Sequence, residues 1–486
     1  MSSEATPEPS TLKIYNTLSR QKETFTPLVP GMVGMYSCGP TVYSEPHLGH
    51  ARGPVVLDVV RRWFEHEGYR VRLVYNITDV GHLTDDGDEG EDKMLKRAKL
   101  EKLEPMEVAE KYFWKYFDNL AKLQVRRPDI VPRASGHIPE QIELTQALLD
   151  AGHAYEVNGS VYFDVSSWPD YGELSGRNTD DALEGTRVEV RSEKRNPQDF
   201  ALWKRAEPNH IMRWNSPWGE GFPGWHIECS AMSTKYLGDE FDIHGGGLDL
   251  TFPHHECEIA QAKAAGKGFA RYWIHWNFIT LSGEKMAKSK GHFVTLEELL
   301  TQNDPQAVRF HLLNTHYRTP SDFSPESLQA SAQGLKRIQE SQREVSRLLA
   351  GETPDLPEQD PLARFRERFQ EGMNDDFNTP QAIAALFDGT REINAHINTQ
   401  PEASFLAAAQ AFYKDLLDNV LGLPLTADGP SHSKDTLDGL VGMIAEQRQK
   451  ARLARDFRTA DGLRKRLAEL GVTLEDTADG SRWKLN

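Results

Sequence analysis

GMYSCGPTVYSEPHLGHARGPVVLDVVRRWFEHEGYRVRLVYNI, Gly34 to Ile77, is the stretch that decides the fold. Gly34–Cys38 is short and apolar enough for a strand, and the loop GPTVYSEPHLGHARG follows it. Pro54–Glu67 then carries apolar residues at helical spacing, and Gly68 is a stop signal. Tyr69–Ile77 alternates polar and apolar residues like a second strand. Strand, Gly-containing loop, helix and strand make the opening unit of a parallel sheet. The predicted class is therefore α/β, with a Rossmann-type parallel-sheet domain.

Outward from that unit, helical patterns cover Pro105–Leu123 and Pro139–Ala151. Strand-like runs around Gly159–Val165 and the Trp/Pro/Gly-rich stretch to Gly224 read as an insertion, about residues 105–220. The sheet pattern resumes near Asp239–Ile243, and Tyr272–Ile279 reads as another buried strand. After about Asp304 the text is almost all helical to Asn419, apart from the Pro- and acid-rich Gly351–Pro361. Leu421–Lys434, LGLPLTADGPSHSK, reads as a linker. The expected organisation is a flexible tail 1–10, a Rossmann-type domain 11–305, a helical bundle 306–420, a linker 421–434 and a small α+β domain 435–486. That last domain begins with a helix crowded with base between Arg448 and Arg466.

The chain has 486 residues, 38% of them hydrophobic, which suits two to four packed domains. Its first ten residues, MSSEATPEPS, are polar, and no later run is apolar for long enough to span a bilayer; a soluble cytoplasmic protein is expected. A net charge of −17 works against sequence-independent binding to nucleic acid, so any such contact needs a local basic patch. Three cysteines, Cys38, Cys229 and Cys257, are too few and too scattered for a disulfide framework and point to reduced thiols. The acidic Gly-rich loop Asp79–Asp92 does not have the spacing of a helix–loop–helix calcium site.

Two short motifs suit phosphate chemistry. His47-Leu48-Gly49-His50 lies in the loop entering the first helix, where backbone N–H groups and the helix dipole favour an anion. Two imidazoles there could donate to a phosphate as charge builds on it; two surface histidines would read the same way. Lys285-Met286-Ala287-Lys288-Ser289 follows the strand-like Tyr272–Ile279. Its two ammonium groups, flanked by Gly283 and Gly291, could clamp pyrophosphate, and an ordinary basic loop is the alternative. Elsewhere Cys38, Cys229 in GWHIECSAM, and His254 with Glu258 four residues apart on one helix face could form a zinc set. Buried cysteines beside a surface His and Glu are the plainer reading, and His255 and Cys257 compete as ligands on spacing.

A histidine pair after the first strand, a lysine pair after the last and helical domains beyond resemble the class I aminoacyl-tRNA synthetases, whose HIGH and KMSKS motifs bracket ATP. Leu48 and Ala287 depart from those motifs without removing a charged or donor group. CGPTVY, NITD, WHIECSAM, IHGGG, LDL, FPHHE and EIAQ, in this order, resemble the cysteinyl-tRNA synthetase family, as do ARDFRTADGLRKRL and LEDTADGSRW near the end. The resemblance runs through nearly the whole chain. It implies that cysteine is activated with ATP to cysteinyl-adenylate and transferred to the 3′-terminal ribose of tRNA(Cys).

The resemblance also implies site residues. His47, His50, Lys285 and Lys288 would be catalytic, and with Gly49, Gly245, Gly246, Gly247 and Asp249 they would bind ATP and its Mg²⁺. Gly39, Thr41, Thr78, Trp225 and His244 would line the cysteine pocket, with core packing the alternative for Trp225 and His244. Cys38, Cys229, His254 and Glu258 would hold one zinc ion, which prefers a substrate thiolate to a serine hydroxyl. Arg448, Arg452, Arg455, Asp476, Arg482 and Trp483 would contact tRNA in an anticodon-binding domain, where a solvated basic helix face is the alternative. A cytoplasmic monomer is expected. Cys257 stands where the family often has Asn, and the loop Gly81–Asp92 is longer than the family's usual ITDIDDK version. Two other functions share part of this pattern: a ligase joining cysteine to an amino sugar, as in mycothiol synthesis, and a non-catalytic synthetase-like RNA-binding protein.

Overall fold

The computed structural model describes residues 11–80, 83, 92–177, 193–208, 210–281, 284–285, 294–399, 401–425, 432–469, 472–477 and 480–485. The chain divides into two compact units, Met1–Pro424 and Leu425–Asn486. Among the described residues no helix is long and apolar enough to cross a membrane.

A hairpin, β1 (Lys13–Asn16) and β2 (Gln21–Thr24), precedes the predicted unit of β3 (Met32–Ser37), α1 (Leu48–His66) and β4 (Arg70–Tyr75). Then follow α2 (Lys93–Glu101), α3 (Pro105–Lys122) and α4 (Ile138–Asp150). An antiparallel sheet comes next, in the order β5-β6-β7-β9-β8, made of β5 (Ala154–Val157), β6 (Ser160–Phe163), β7 (Phe200–Arg205), β8 (Trp214–Ser216) and β9 (Gly219–Pro223). The chain returns to the parallel sheet through α5 (Trp225–Leu237), β10 (Glu240–Gly247), α6 (His254–Ala264) and β11 (Phe269–Trp276). That sheet has the order β11-β10-β3-β4, with every neighbouring pair parallel.

Parallel strands are buried on both faces and so read as near-continuous apolar runs, as MVGMYS of β3 does. Helix α1 buries Val55, Val59, Val60, Trp63 and Phe64 in the core it shares with the sheet. The connections leave β3 toward β4 on one side and enter β10 and β11 on the other. The carboxyl ends of β3 and β10 thus form a switch point, where open α/β sheets bind ligands.

Two elements differ from expectation. Helix α1 begins at Leu48, not Pro54, so the histidine motif forms its N-terminus and Pro54 lies inside the helix. Proline has no N–H for the carbonyl four residues back. That carbonyl, His50's, accepts instead from the Tyr116 hydroxyl at 3.2 Å, so a residue of α3 supplies the missing bond. The run Tyr272–Ile279 spans two elements, because β11 ends at Trp276 and β12 (Ile279–Leu281) belongs to another sheet. There β12 pairs antiparallel with β13 (Glu284–Lys285) and parallel with β14 (Ser321–Phe323).

The helical region holds α7 (Leu296–Gln302), α8 (Pro305–Leu313), α9 (Pro325–Leu349), α10 (Ala363–Asn374), α11 (Thr379–Ile397), α12 (Ala403–Phe412) and the π-helical segment Tyr413–Val420. Asp304, Ser324 and Asn378 cap α8, α9 and α11 with their side chains, each with Pro in the first turn. One apolar core runs from the parallel sheet into these helices. At its centre Arg309 of α8, fully buried, donates to Asp58 of α1 at 2.6 Å and to the carbonyls of Leu421 and Leu123.

The second unit comprises α13 (His432–Leu453), α14 (Phe457–Glu469) and a hairpin of β15 (Val472–Thr477) with β16 (Gly480–Leu485). The single basic helix expected there is two. Arg455 turns the chain at a φ of 59°, and Asp456 accepts from the backbone N–H of Thr459 at 3.1 Å, a side-chain cap that starts α14.

Candidate active site

Four potential ligands converge at the carboxyl end of β3. Cys38 follows that strand, Cys229 lies one turn into α5, and His254 and Glu258 project one turn apart from α6. Cys38 Sγ is 3.5 Å from Cys229 Sγ and 3.3 Å from Glu258 Oε1. His254 Nε2 is 3.5 Å from Cys229 Sγ and 3.1 Å from Glu258 Oε1. All four ligand atoms lie within 4.8 Å of one another and all four residues are buried. Donors held about 2.0–2.3 Å from a tetrahedral zinc ion sit about 3.3–3.8 Å apart; the three separations that involve sulfur fall in that range, and the 3.1 Å between His254 and Glu258 lies just below it.

The electrostatics fit it too. Burial would raise the Cys229 thiol, but hydrogen bonds from Cys38 and His254 bring it down to about 6. Burial would lower His254, yet Glu258 and Cys229 push it up to about 10. Burial would raise Glu258, while His244 and His254 hold it well below the ordinary carboxylate value. The cluster is an anionic hole that seizes a proton on His254, and a cation among the four atoms would satisfy the same charge.

Cys38, His244, His255 and Glu258 also approach within 4.8 Å of one another. That set shares Cys38 and Glu258 with the first but offers one thiolate where the first offers two, and its His244 Nε2 lies 2.8 Å from Glu258 Oε2. Cys257 faces a different core, its Sγ 3.4 Å from the Tyr171 hydroxyl, and it is not in either set. The three cysteines are buried and none is in a disulfide.

The remaining residues read from the sequence for cysteine lie around this cluster. Trp225 stacks on His254, with centroids 4.2 Å apart. His244 is fully buried, stacks on Trp273 at 4.3 Å and spends Nε2 on Glu258. Thr78 pairs with Thr41 as an isolated bridge and donates to Glu228 Oε2 at 2.9 Å. Gly39 is required by close approach, since a Cβ there would lie 1.6 Å from the Asn76 carbonyl oxygen. Four residues went unread: Glu228, His226, His275 and Thr17. Glu228 is wholly buried beside Cys229, and burial with that sulfur's charge pushes its carboxyl well up. His226 Nδ1 lies 2.9 Å from His254 Nδ1, one turn from Cys229 on α5. In the sequence only the adjacency of both to Cys229 hinted at this.

At the histidine motif, His47 is the N-cap of α1. Its Nδ1 accepts from the Gly49 N–H at 3.1 Å, and His50 Nδ1 accepts from the His47 N–H at 3.1 Å. A ring that accepts at Nδ1 carries its proton on Nε2 when neutral. Both imidazoles are therefore set as Nε2–H donors, with centroids 3.8 Å apart. Arg52, in the next turn, donates to the carbonyls of Phe278, His316, Tyr317 and Thr319. It thereby ties α1 to the chain entering β12 and β14.

The other end of the lysine segment also meets the motif: Leu296 N–H donates to Pro46 O at 2.8 Å, and His47 bridges Thr295. Lys285 has its backbone in β13, while Lys288 lies outside the described residues. Gly245, Gly246 and Gly247 end β10, and Asp249 follows in the short turn Leu248–Thr251.

In the second unit Arg452 and Arg455 are exposed, but Arg448 is buried at 4% exposure, which withdraws its guanidinium from the basic surface. In the hairpin, Asp476 stands opposite Ser481, Arg482 opposite Glu475 and Trp483 opposite Leu474; their side chains are outside the described residues.

Residues 24–333 match the family described as the tRNA synthetases class I (C) catalytic domain, and residues 368–426 match the DALR domain. A solved structure of Mycobacterium tuberculosis methionyl-tRNA synthetase in complex with methionyl-adenylate superposes with a TM-score of 0.59. It is 15% identical and covers 80% of this chain and 92% of its own, a likeness of fold. Fold, switch-point site and match together define a class I aminoacyl-tRNA synthetase. A cysteine–tRNA ligase of Thermus thermophilus is 56% identical over 479 residues, covering 98% of this chain and 99% of its own. One of Deinococcus radiodurans is 54% identical over 485 residues, covering 98% and 97%. The chain belongs to the cysteine–tRNA ligase family, and its activity is the ATP-driven joining of cysteine to tRNA. The matched span reaches through the C-terminal unit, which an amino-sugar ligase would not need.

Proposed function

We propose that Cys38, Cys229, His254 and Glu258 hold one zinc ion and that this centre selects the amino acid through its sulfur. The observation that carries the reading is the four-donor cluster, buried at the sheet's switch point with donor separations of 3.1 to 3.5 Å, close to tetrahedral edges. Bound there, zinc would supply a soft Lewis acid that accepts a thiolate and gains little from a hydroxyl. Gly39, Thr41, Thr78, Trp225 and His244 shape the space around the substrate cysteine. The histidine motif works on the other side of that space, with Gly49, Gly245, Gly246, Gly247 and Asp249 facing adenosine and the phosphates of Mg²⁺-bound ATP.

In the first step a carboxylate oxygen of cysteine attacks the α-phosphorus, and pyrophosphate leaves with the electrons of the broken P–O bond. His47 and His50, presenting Nε2–H, stabilise the charge gathering on the phosphoryl oxygens, and Lys285 with Lys288 that on the β- and γ-phosphates. In the second step the terminal ribose hydroxyl of tRNA(Cys) attacks the activated carbonyl and AMP departs. Arg452 and Arg455 offer charge to tRNA phosphates, Asp476, Arg482 and Trp483 read or stack on anticodon bases, and Arg448 acts within the unit. The Rossmann-type and helical parts make up the unit that ends at Pro424, the tRNA-binding part belongs to the unit that begins at Leu425, and the protein works as a cytoplasmic monomer.

The decisive test is ATP–pyrophosphate exchange with cysteine against serine, with and without a zinc chelator. Cysteine should be preferred by a factor of about 10⁴ or more, and metal removal should abolish its exchange. Undiminished exchange in protein shown to be free of metal would end the proposal.

A further inference from the structure

Three of the four candidate ligands have an imidazole from outside the set against them. His226 faces His254, His244 faces Glu258, and His255 Nε2 lies 3.5 Å from Cys38 Sγ. Behind His255 the contact continues. His255 Nδ1 is 2.8 Å from His275 Nε2, and His275 Nδ1 is 2.8 Å from Thr17 Oγ1. Four separate parts of the chain supply this line: the turn after β1, then β11, α6 and the end of β3. Space is made for it, because a Cβ at Gly246 would lie 2.2 Å from His255 Cε1.

The line has one polarity. A metal-bound thiolate can only accept, so His255 must donate from Nε2. Its Nδ1 then accepts from His275 Nε2–H, and His275 Nδ1 accepts from the Thr17 hydroxyl. Were His255 itself a metal ligand, every donor in the line would reverse.

Such a line has work to do. Two thiolates and a carboxylate already outweigh a divalent cation by one charge, and a substrate thiolate adds a second, all in a buried site. Hydrogen bonds to ligand sulfur spread that excess and set the metal's appetite for a further anion. We propose that Thr17, His275 and His255 form a one-way hydrogen-bond relay that orients Cys38 and draws charge from its sulfur, thereby setting how tightly the centre takes the substrate's thiolate. These are positioning residues, and the inference rests on the zinc reading above.

The test uses full-length protein with Thr17→Val, Thr17→Ser and His275→Phe, each loaded with zinc and, separately, with cobalt. Valine keeps the shape of threonine and removes only the terminal hydroxyl. Thr17→Val should keep its metal, raise KM for cysteine about three- to tenfold, leave KM for ATP unchanged and shift the thiolate-to-cobalt charge-transfer band. Thr17→Ser should restore both readouts, and His275→Phe should move both further in the same direction. Wild-type KM and spectrum in both Thr17→Val and His275→Phe would overturn the relay, as would a defect that serine fails to restore. Wild-type protein that binds no stoichiometric metal would overturn the zinc reading and the relay with it. Metal-replete variants that behave as wild type would overturn the relay alone.

Discussion

An alanine at Gly246 separates two accounts of the glycine run. Its Cβ would stand 2.2 Å from His255 Cε1, 2.7 Å from His255 Nε2 and 3.3 Å from Leu250 Cδ1. Carbon atoms rest about 3.5 Å or more apart, so the ring or the strand must yield by about 1.3 Å. The strand is poorly placed to yield, because Gly246 is paired with His275 of β11 and Gly245 with Ser37 of β3. The ring must therefore move, and a shift of that size breaks its 2.8 Å bond to His275 and its approach to Cys38. A lost neutral hydrogen bond, a stranded buried donor and overpacking together cost about 2–4 kcal/mol. Zinc affinity should fall about 10–100-fold, as when a hydrogen-bond partner of a ligand is disturbed. The assays are zinc competition against a chromogenic chelator, urea unfolding, and separate KM values for cysteine and ATP. Gly245→Ala is the internal control, since its Cβ meets nothing closer than 3.2 Å, and it should lose much less. Wild-type zinc affinity and cysteine KM in Gly246→Ala, with KM for ATP alone raised, would refute this reasoning and leave adenosine as the reason for the glycine.

Cys229→Ser should fold but lose its zinc and bind cysteine far more weakly; stoichiometric zinc by metal analysis would remove Cys229 from the ligand set. Asp58→Asn strands the fully buried Arg309 guanidinium and should cost about 3–5 kcal/mol in denaturant unfolding. Arg309→Met should cost less, because Asp58 keeps Arg62 at 2.7 Å and Arg126; equal losses would contradict the argument. The His66–Asp415 pair, 3.3 Å apart, sets a pH dependence. The hydrogen bond to Asp415 raises His66 against the opposing effect of burial, so the folded state holds the proton more tightly than the unfolded chain. That stabilisation is full below the ordinary histidine value and is lost as pH climbs through the raised one. With both side chains about a third exposed, solvent screening limits it to about 0.5 kcal/mol. Unfolding at pH 6 and pH 8.5 should show the difference in wild type and not in Asp415→Asn; identical pH profiles would exclude it.

The parallel sheet was legible in Gly34–Ile77 because both periodicities there are strong and short-range. The start of α1 was not legible. Gly49, Gly53 and Pro54 all weaken a helix locally, and what sustains it lies far away in the chain. Tyr116 takes the His50 carbonyl, and Gly53 lets the Trp276 ring lie where a Cβ would be 2.3 Å away. Spacing likewise left His254, His255 and Cys257 as rival ligands. They diverge in space: His254 points at Cys229, His255 at Cys38 and His275, and Cys257 at Tyr171. Thr17 and His275 carried no sequence signal at all, because a hydrogen-bond line drawn from four elements has no spacing. Arg448 shows the opposite limit: it is buried, and charge in a sequence says nothing of which face of a helix is covered.

The first turns of α1 reach both halves of the chemistry. His47 and His50, proposed to meet the phosphates, stand at the start of the helix, and Arg52 holds four carbonyls at the approaches to β12 and β14. Burial pulls that guanidinium down to about 10, yet it remains charged at neutral pH. Removing it would therefore leave four carbonyls, that of buried Tyr317 among them, to find other donors. One residue on, Gly53 rests on Trp276, and Trp276 follows His275 of the line that ends on Cys38. A shift of α1 cannot then be confined to the ATP side, since it would press on the strand that orients the metal ligand. On the proposed reading, adenylate formation needs the carboxylate of a cysteine held by its sulfur to meet a phosphorus held by the histidine motif, within a few tenths of an ångström. A helix rigidly joined to both supports is a direct way to fix that separation, which makes the buried anchors of α1 as much a part of the site as the groups that touch substrate.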